Sequence, residues 1–168
     1  MIKLIASDMD GTLLDPQKNF PPDFFNILDR LEKKDISFIV ASGRSYSALE
    51  PLFKERCDKM TFICDNGAFV VINGKIASIN GIKPNKLKEI ITVCKEQLPD
   101  VYLVLCGLNG TYISSKFNEQ SEEELGFYYF VRTVYDDLLD VDDTIFKIAI
   151  FDKKNPAENC RFHSECIY

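Results

Sequence analysis

Asp8 and Asp10 lie two residues apart in the run Asp8-Met9-Asp10-Gly11-Thr12-Leu13-Leu14, directly after a short apolar stretch at the N-terminus. In extended backbone, side chains two positions apart point the same way. One carboxylate can then attack phosphorus while the other handles the proton of a leaving alcohol. Gly11 permits a sharp turn beside a ligand. A carboxylate nucleophile repels an anionic phosphate, and a divalent cation relieves that repulsion. Two other polar clusters follow apolar runs: Ser42-Gly43-Arg44 and Asp65-Asn66-Gly67-Ala68. Arginine suits phosphate recognition through its planar fork of donors.

The elements that must position these residues follow from the apolar pattern. Residues 2–7 read as a short strand running into Asp8, and residues 10–20 as a loop rich in Gly, Thr, Asp, Pro and Asn. Pro21-Pro22-Asp23 opens a helix whose apolar positions Phe24, Ile27, Leu28 and Leu31 follow helical spacing. Residues 36–41 form the next strand, Ser45 starts a second helix limited by Pro51, and residues 61–64 form a third strand. This alternation predicts an α/β fold, a Rossmann-like parallel sheet covered by helices. Ligands in such sheets sit beyond the carboxyl ends of the strands. Asp8, Ser42 and Asp65 each fall just past a predicted strand end.

Asn66-Gly67 and Asn73-Gly74 flank the apolar run 68–72 and lead on to residues 75–79, a hairpin signal. After Gly81 the character changes. Residues 85–97 predict a helix with Leu87, Ile90, Ile91 and Cys94 on one face. Residues 101–106 and 111–114 predict paired strands, residues 121–125 a short exposed helix, and residues 145–151 another strand. The expected organisation is a core at residues 1–81 and a smaller α+β lobe at residues 82–168.

Composition narrows the function classes. With 20 basic and 26 acidic residues the formal charge is −6, a balance that repels nucleic acid. No apolar run reaches the length of a membrane span, and the N-terminus lacks the pattern of a secretory signal, so the expected location is the cytoplasm. The six cysteines form no CxxC pair and are expected to be reduced, mostly buried thiols. Cys160, His163 and Cys166 offer three ligands for a metal, where structural zinc takes four.

The Asp8–Leu14 run resembles the first motif of the haloacid dehalogenase superfamily. The segment Val40-Ala41-Ser42-Gly43-Arg44 resembles its second motif, and Asp65-Asn66-Gly67-Ala68 the corresponding stretch of the Cof-type sugar-phosphate phosphatases. The resemblance implies a Mg²⁺-dependent phosphatase acting on a small phosphorylated metabolite. Asp8 would be the nucleophile, forming an aspartyl-phosphate, and a metal ligand. Asp10 would be the general acid and base, with its main-chain carbonyl on the metal. Ser42 and the Gly43 amide would hold the phosphoryl oxygens, and Arg44 and Asn66 would position substrate or loops. Residues 82–168 would belong to the α/β cap that selects the substrate.

The same resemblance leads to the expectation of a later lysine and a later Gly-Asp motif. Lys147 lies in a predicted strand of the second lobe, Lys153 and Lys154 follow it, and no Gly-Asp pair occurs in the sequence. The resemblance therefore implies a core that is incomplete within this chain. It could be a truncated product, a fragment, or a chain completed by a homo-oligomer or a complementing chain. The alternative function is a non-catalytic phosphate-binding or interaction protein that keeps the fold. A phosphoryl-accepting receiver domain fits less well, because its acceptor does not sit in such a loop after the first strand.

Overall fold

The computed structural model describes residues 1–98, 101–117 and 132–152. The chain divides into two compact units, Met1–Asn80 and Gly81–Tyr168.

The first unit is an α/β layer. Its elements are β1 (Leu4–Ser7), α1 (Phe24–Glu32), β2 (Ser37–Ala41), α2 (Tyr46–Phe53), β3 (Thr61–Cys64), β4 (Phe69–Ile72) and β5 (Lys75–Ile79). The sheet runs in the order β1-β2-β3-β4-β5. β1, β2 and β3 are parallel, joined by helical crossovers, whereas β4 and β5 return antiparallel. The second return turns at Asn73-Gly74, both with positive φ, the conformation a tight hairpin of this hand requires. The core is aromatic. Phe20 stacks on Phe24 at 4.9 Å, Phe53 meets both Phe20 and Phe62 at 5.4 Å, and Phe24 meets Phe38 at 5.6 Å. Phe20 thus ties the end of the long loop after β1 to the helix–sheet interface.

One packing expectation fails. Ile27 shares the helical spacing of the apolar positions of α1, yet it is exposed, while Phe24 and Leu28 are buried. Phe24 and Leu28 form the buried i, i+4 pair, Leu31 is partly buried, and Ile27 lies about 100° round the helix from Leu28. β1 is an edge strand of the sheet, and its Leu4 is 52% exposed.

The second unit comprises α3 (Pro84–Gln97), β6 (Tyr102–Gly107), β7 (Thr111–Ser114), β8 (Thr133–Tyr135) and β9 (Ile145–Phe151). Its sheet has the order β8-β7-β6-β9. β6 is central and antiparallel to both β7 and β9, and Ile91 and Cys94 of α3 pack with Leu103, Leu105 and Ile145 in one cluster. Lys147 lies within β9, opposite Cys106. β8 is not foreshadowed by the apolar pattern; it is a three-residue strand pairing in parallel with β7. Residues 121–125, Lys153, Lys154, and the trio Cys160, His163 and Cys166 lie outside the described residues.

Cys57, Cys64, Cys94 and Cys106 are buried thiols outside any disulfide. Among the described residues no helix is long and apolar enough to cross a membrane.

Candidate active site

The parallel register brings the three polar clusters to one edge. Ser7 lies opposite Val40 and Ala41 opposite Ile63, so Asp8 and Ser42 leave adjacent strands about 4.8 Å apart at their carboxyl ends. The Ser42 amide donates to the Ile63 carbonyl at 2.9 Å, and the Asn66 amide to the Ser42 carbonyl at 3.2 Å. The loops after β2 and β3 are therefore stitched together beyond the last ladder bonds.

Within the first motif burial alternates. Asp8 is exposed, Met9 is fully buried and Asp10 is partly buried. Met9 anchors the segment, and its carbonyl accepts from the amides of Leu13 at 3.1 Å and Leu14 at 2.8 Å. The chain turns over that carbonyl through Gly11, whose φ of 76° is easy for glycine and strained for other residues. A Cβ at Gly11 would meet nothing within 4 Å, so the requirement there is conformational and not one of space.

Gly43 is constrained in the other way. A Cβ at this position would lie 2.9 Å from the Asn66 side-chain oxygen. Glycine lets the Asn66 amide close on the loop after β2. Asp65 and Asn66 both adopt positive φ, 49° and 58°, a conformation that Asp and Asn tolerate better than most residues. The buried Asp65 and exposed Asn66 form a short 3-10 turn, Asp65–Gly67.

The electrostatic centre is Asp10. Arg44 grips its carboxylate with two bonds, Nε to Oδ2 at 2.8 Å and Nη2 to Oδ1 at 2.6 Å. Lys18 Nζ donates to the same Oδ1 at 2.6 Å. The Arg44 bond holds the Asp10 carboxyl down at about 2, burial opposes it, and Lys18 adds to the lowering. The Arg44 amide donates to Ser42 Oγ at 3.1 Å, which leaves the buried serine's O–H proton to point at another acceptor. Asp10, Ser42 and Arg44 are thus joined directly, with Asp8 two residues from Asp10 on the same loop. Lys18 lies outside all three sequence motifs. Its signal was faint, a single lysine in a polar loop ten residues beyond Asp8.

The oxygen donors available match a hard cation. Mg²⁺ is held by one or two carboxylates, with water and phosphate completing an octahedron. The exposed Asp8 carboxylate and the Asp10 main-chain carbonyl are donors of that kind. Among the described residues no group of three or more His, Cys, Asp or Glu side chains forms a richer metal site. A cavity of about 980 Å³ lies elsewhere, at the opposite edge near Ser37 and Thr61 where β2 and β3 begin, and includes Asp29 and Arg56 in its lining.

Comparison with known proteins gives a consistent picture. A family model described as haloacid dehalogenase-like hydrolase matches residues 5–166. The chain is 32% identical over 150 residues to the 5-amino-6-(5-phospho-D-ribitylamino)uracil phosphatase YbjI of Escherichia coli K12, covering 89% of this chain and 55% of that protein. SMU.1108c from Streptococcus mutans UA159 superposes with a TM-score of 0.87 at 24% identity, over 99% of this chain and 62% of that one. The subclass IIB sugar phosphatase BT4131 superposes with a TM-score of 0.74 at 16% identity, over 94% and 61%. The chain therefore spans between half and two thirds of the length of these relatives.

Proposed function

The chain belongs to the haloacid dehalogenase-like hydrolases, and from that premise we propose that its first unit carries the nucleophile half of a phosphate monoester hydrolase site. The substrate class is a small phosphorylated metabolite, of the kind named for YbjI and BT4131. Residues 82–168 are assigned to the lobe that selects it.

In this reading the Asp8 carboxylate attacks phosphorus in line with the leaving alcohol. The P–O bond to the alcohol breaks, and an aspartyl-phosphate forms. Asp10 supplies a proton to the alkoxide, then takes one from the water that cleaves the acyl phosphate. Gripped by Arg44, Asp10 is a carboxylate and a proton acceptor. Donation in the first half-reaction requires Asp10 first to take a proton from solvent, as Arg44 turns toward the phosphoryl oxygens. Ser42 Oγ–H and the backbone of Gly43 steady those oxygens, and Asn66 fixes the loop that carries them. Bound through Asp8 and the Asp10 carbonyl, Mg²⁺ would neutralise charge between nucleophile and phosphate.

The observation that carries this reading is the bidentate Arg44–Asp10 pair, which joins the loops after β1 and β2 where the motifs meet. The test is hydrolysis of an aryl phosphate with Mg²⁺ by the wild-type chain and by Asp8→Asn. Loss of at least roughly a thousand-fold in the variant is expected for removal of a nucleophile. Equal rates would remove Asp8 from the mechanism. Phosphate binding with no turnover in the wild type would favour a binding protein that keeps the fold.

A further inference from the structure

Lys18 occupies a backbone conformation that its side chain does not favour, with φ 67°. Lysine in the left-handed region persists only where its surroundings enforce it. Here the turn is closed from both sides. Lys18 N donates to the Asp15 carbonyl at 2.9 Å, and Asp15 N donates to the Asn19 carbonyl at 3.0 Å. Asn19 N then donates to Asp15 Oδ1 at 2.8 Å. Phe20, the next residue, is held in the aromatic core. The turn is thus a fixed platform, and from it the Lys18 ammonium reaches back across the loop to Asp10.

Lys18 and Arg44 both reach Asp10 Oδ1 at 2.6 Å. Two cations converge on one carboxylate, which leaves one positive charge in excess at that point. The Lys18 side chain is half-exposed, and an exposed ion pair of this kind is held weakly. Its four-carbon stem can re-aim the ammonium without moving the turn. A dianionic phosphate arriving beside Asp8 and Ser42 would be repelled by the Asp8 carboxylate, so a re-aimable cation on the same loop has a definite electrostatic use.

We propose that Lys18 is a phosphate-contacting residue, its ammonium turning from Asp10 to the oxygens of a phosphate group held beside Asp8 and Ser42. The inference rests on the phosphatase reading of the site and adds a ligand contact to it. The competing role is purely structural, with Lys18 only tying the loop to Asp10.

Calorimetric titration of the full chain with inorganic phosphate in the presence of Mg²⁺ separates the two roles. The proteins compared are the wild type, Lys18→Ala, Lys18→Arg and Lys18→Gly, each with its thermal midpoint. Loss of a charge-assisted contact should weaken phosphate binding on the order of five-fold or more in Lys18→Ala and Lys18→Gly. Lys18→Arg should return to within about two-fold of the wild type, because it keeps the charge and the reach. Lys18→Gly should melt at the same temperature as the wild type or higher, since glycine adopts the positive φ freely. Binding and stability then move in different directions, which a structural tie would not produce. Phosphate bound equally well by the wild type and Lys18→Ala, or equally weakened by Ala and Arg, would overturn the role of Lys18 and leave the site reading intact. Failure of the wild type to bind phosphate would overturn both.

Discussion

The loop after β1 and the turn after β6 each gather donors around one carboxylate, with opposite kinds of partner. Asp10 is held by two cationic side chains, Arg44 and Lys18. Asp143 is held by neutral groups: the Asn109 amide and Tyr112 hydroxyl on Oδ2, both at 2.8 Å, and Asn109 Nδ2 at 2.9 Å with Thr144 N at 2.7 Å on Oδ1. The strands beneath them differ in the same sense. β1 is an outer strand with Leu4 and Ile5 exposed, whereas β6 is central and buried along almost its whole length. A carboxylate saturated by backbone and a buried phenol is fixed in place. One met by long cationic side chains at an open edge can exchange partners. The difference separates a carboxylate that holds a turn from one suited to chemistry.

The largest expected effect tests the strands. Leu105 is fully buried in β6, with Tyr112 and Ile148 opposite it in the ladder. Leu105→Ala should destabilise the second unit by about 2–5 kcal/mol, the range for an uncompensated core truncation. Urea unfolding followed by circular dichroism measures it. A cost below about 1 kcal/mol would mean the buried sheet is far more yielding than its packing implies.

Next comes the turn. Asp143→Ala removes the acceptor for four donors and should cost about 1–3 kcal/mol, because the Tyr112 hydroxyl is left without its partner in a buried setting. Gly107 belongs to the same clamp, since a Cβ there would run into the Asp143 carboxylate and the Ile145 side chain. Gly107→Ala should therefore also destabilise, by displacing the carboxylate.

Tyr112 gives the comparison a pH dependence. Burial first, and then the bond to Asp143, push its hydroxyl up to about 12 from an ordinary value of 10. A raised folded value favours the neutral phenol. The stability it contributes is present in full below pH 10 and is lost as pH rises through 12. Absorbance at 295 nm should show Tyr112 and Tyr46 both titrating near that value, and the change made by Asp143→Asn picks out Tyr112. Asp143→Asn should recover only part of the shift, since burial is the larger cause. Full return to the ordinary value would mean the carboxylate dominates.

The candidate site edge was legible in the sequence because its residues are close together within each motif and each motif follows a strand. Asp8, Asp10, Ser42, Arg44 and Asn66 needed only strand order to be brought to one edge. Lys18 was not legible, since its direction depends on an αL turn closed by Asp15 and Asn19. The helix 85–97 and the strands around Asn109 were clear from apolar spacing. β8 was not, because Thr133–Tyr135 is three residues long and owes its conformation to pairing with β7. The exposure of Ile27 and Leu4 was hidden for a related reason. Periodicity marks an apolar face but does not say which neighbour covers it.

The smallest expected effect is therefore the sharpest control. Leu4→Ala makes the same chemical change as Leu105→Ala, but on β1, where the side chain is already 52% exposed. Little apolar area returns to water on truncation, so the cost should stay below about 1 kcal/mol. The contrast between the two leucines isolates strand environment, with residue type held constant. A Leu4→Ala cost as large as that of Leu105→Ala would mean that β1 is covered in solution. Association of copies through this edge would then make the unfolding midpoint rise with protein concentration. A midpoint independent of concentration, together with a small cost, would leave β1 as the open strand that carries Asp8 at its end.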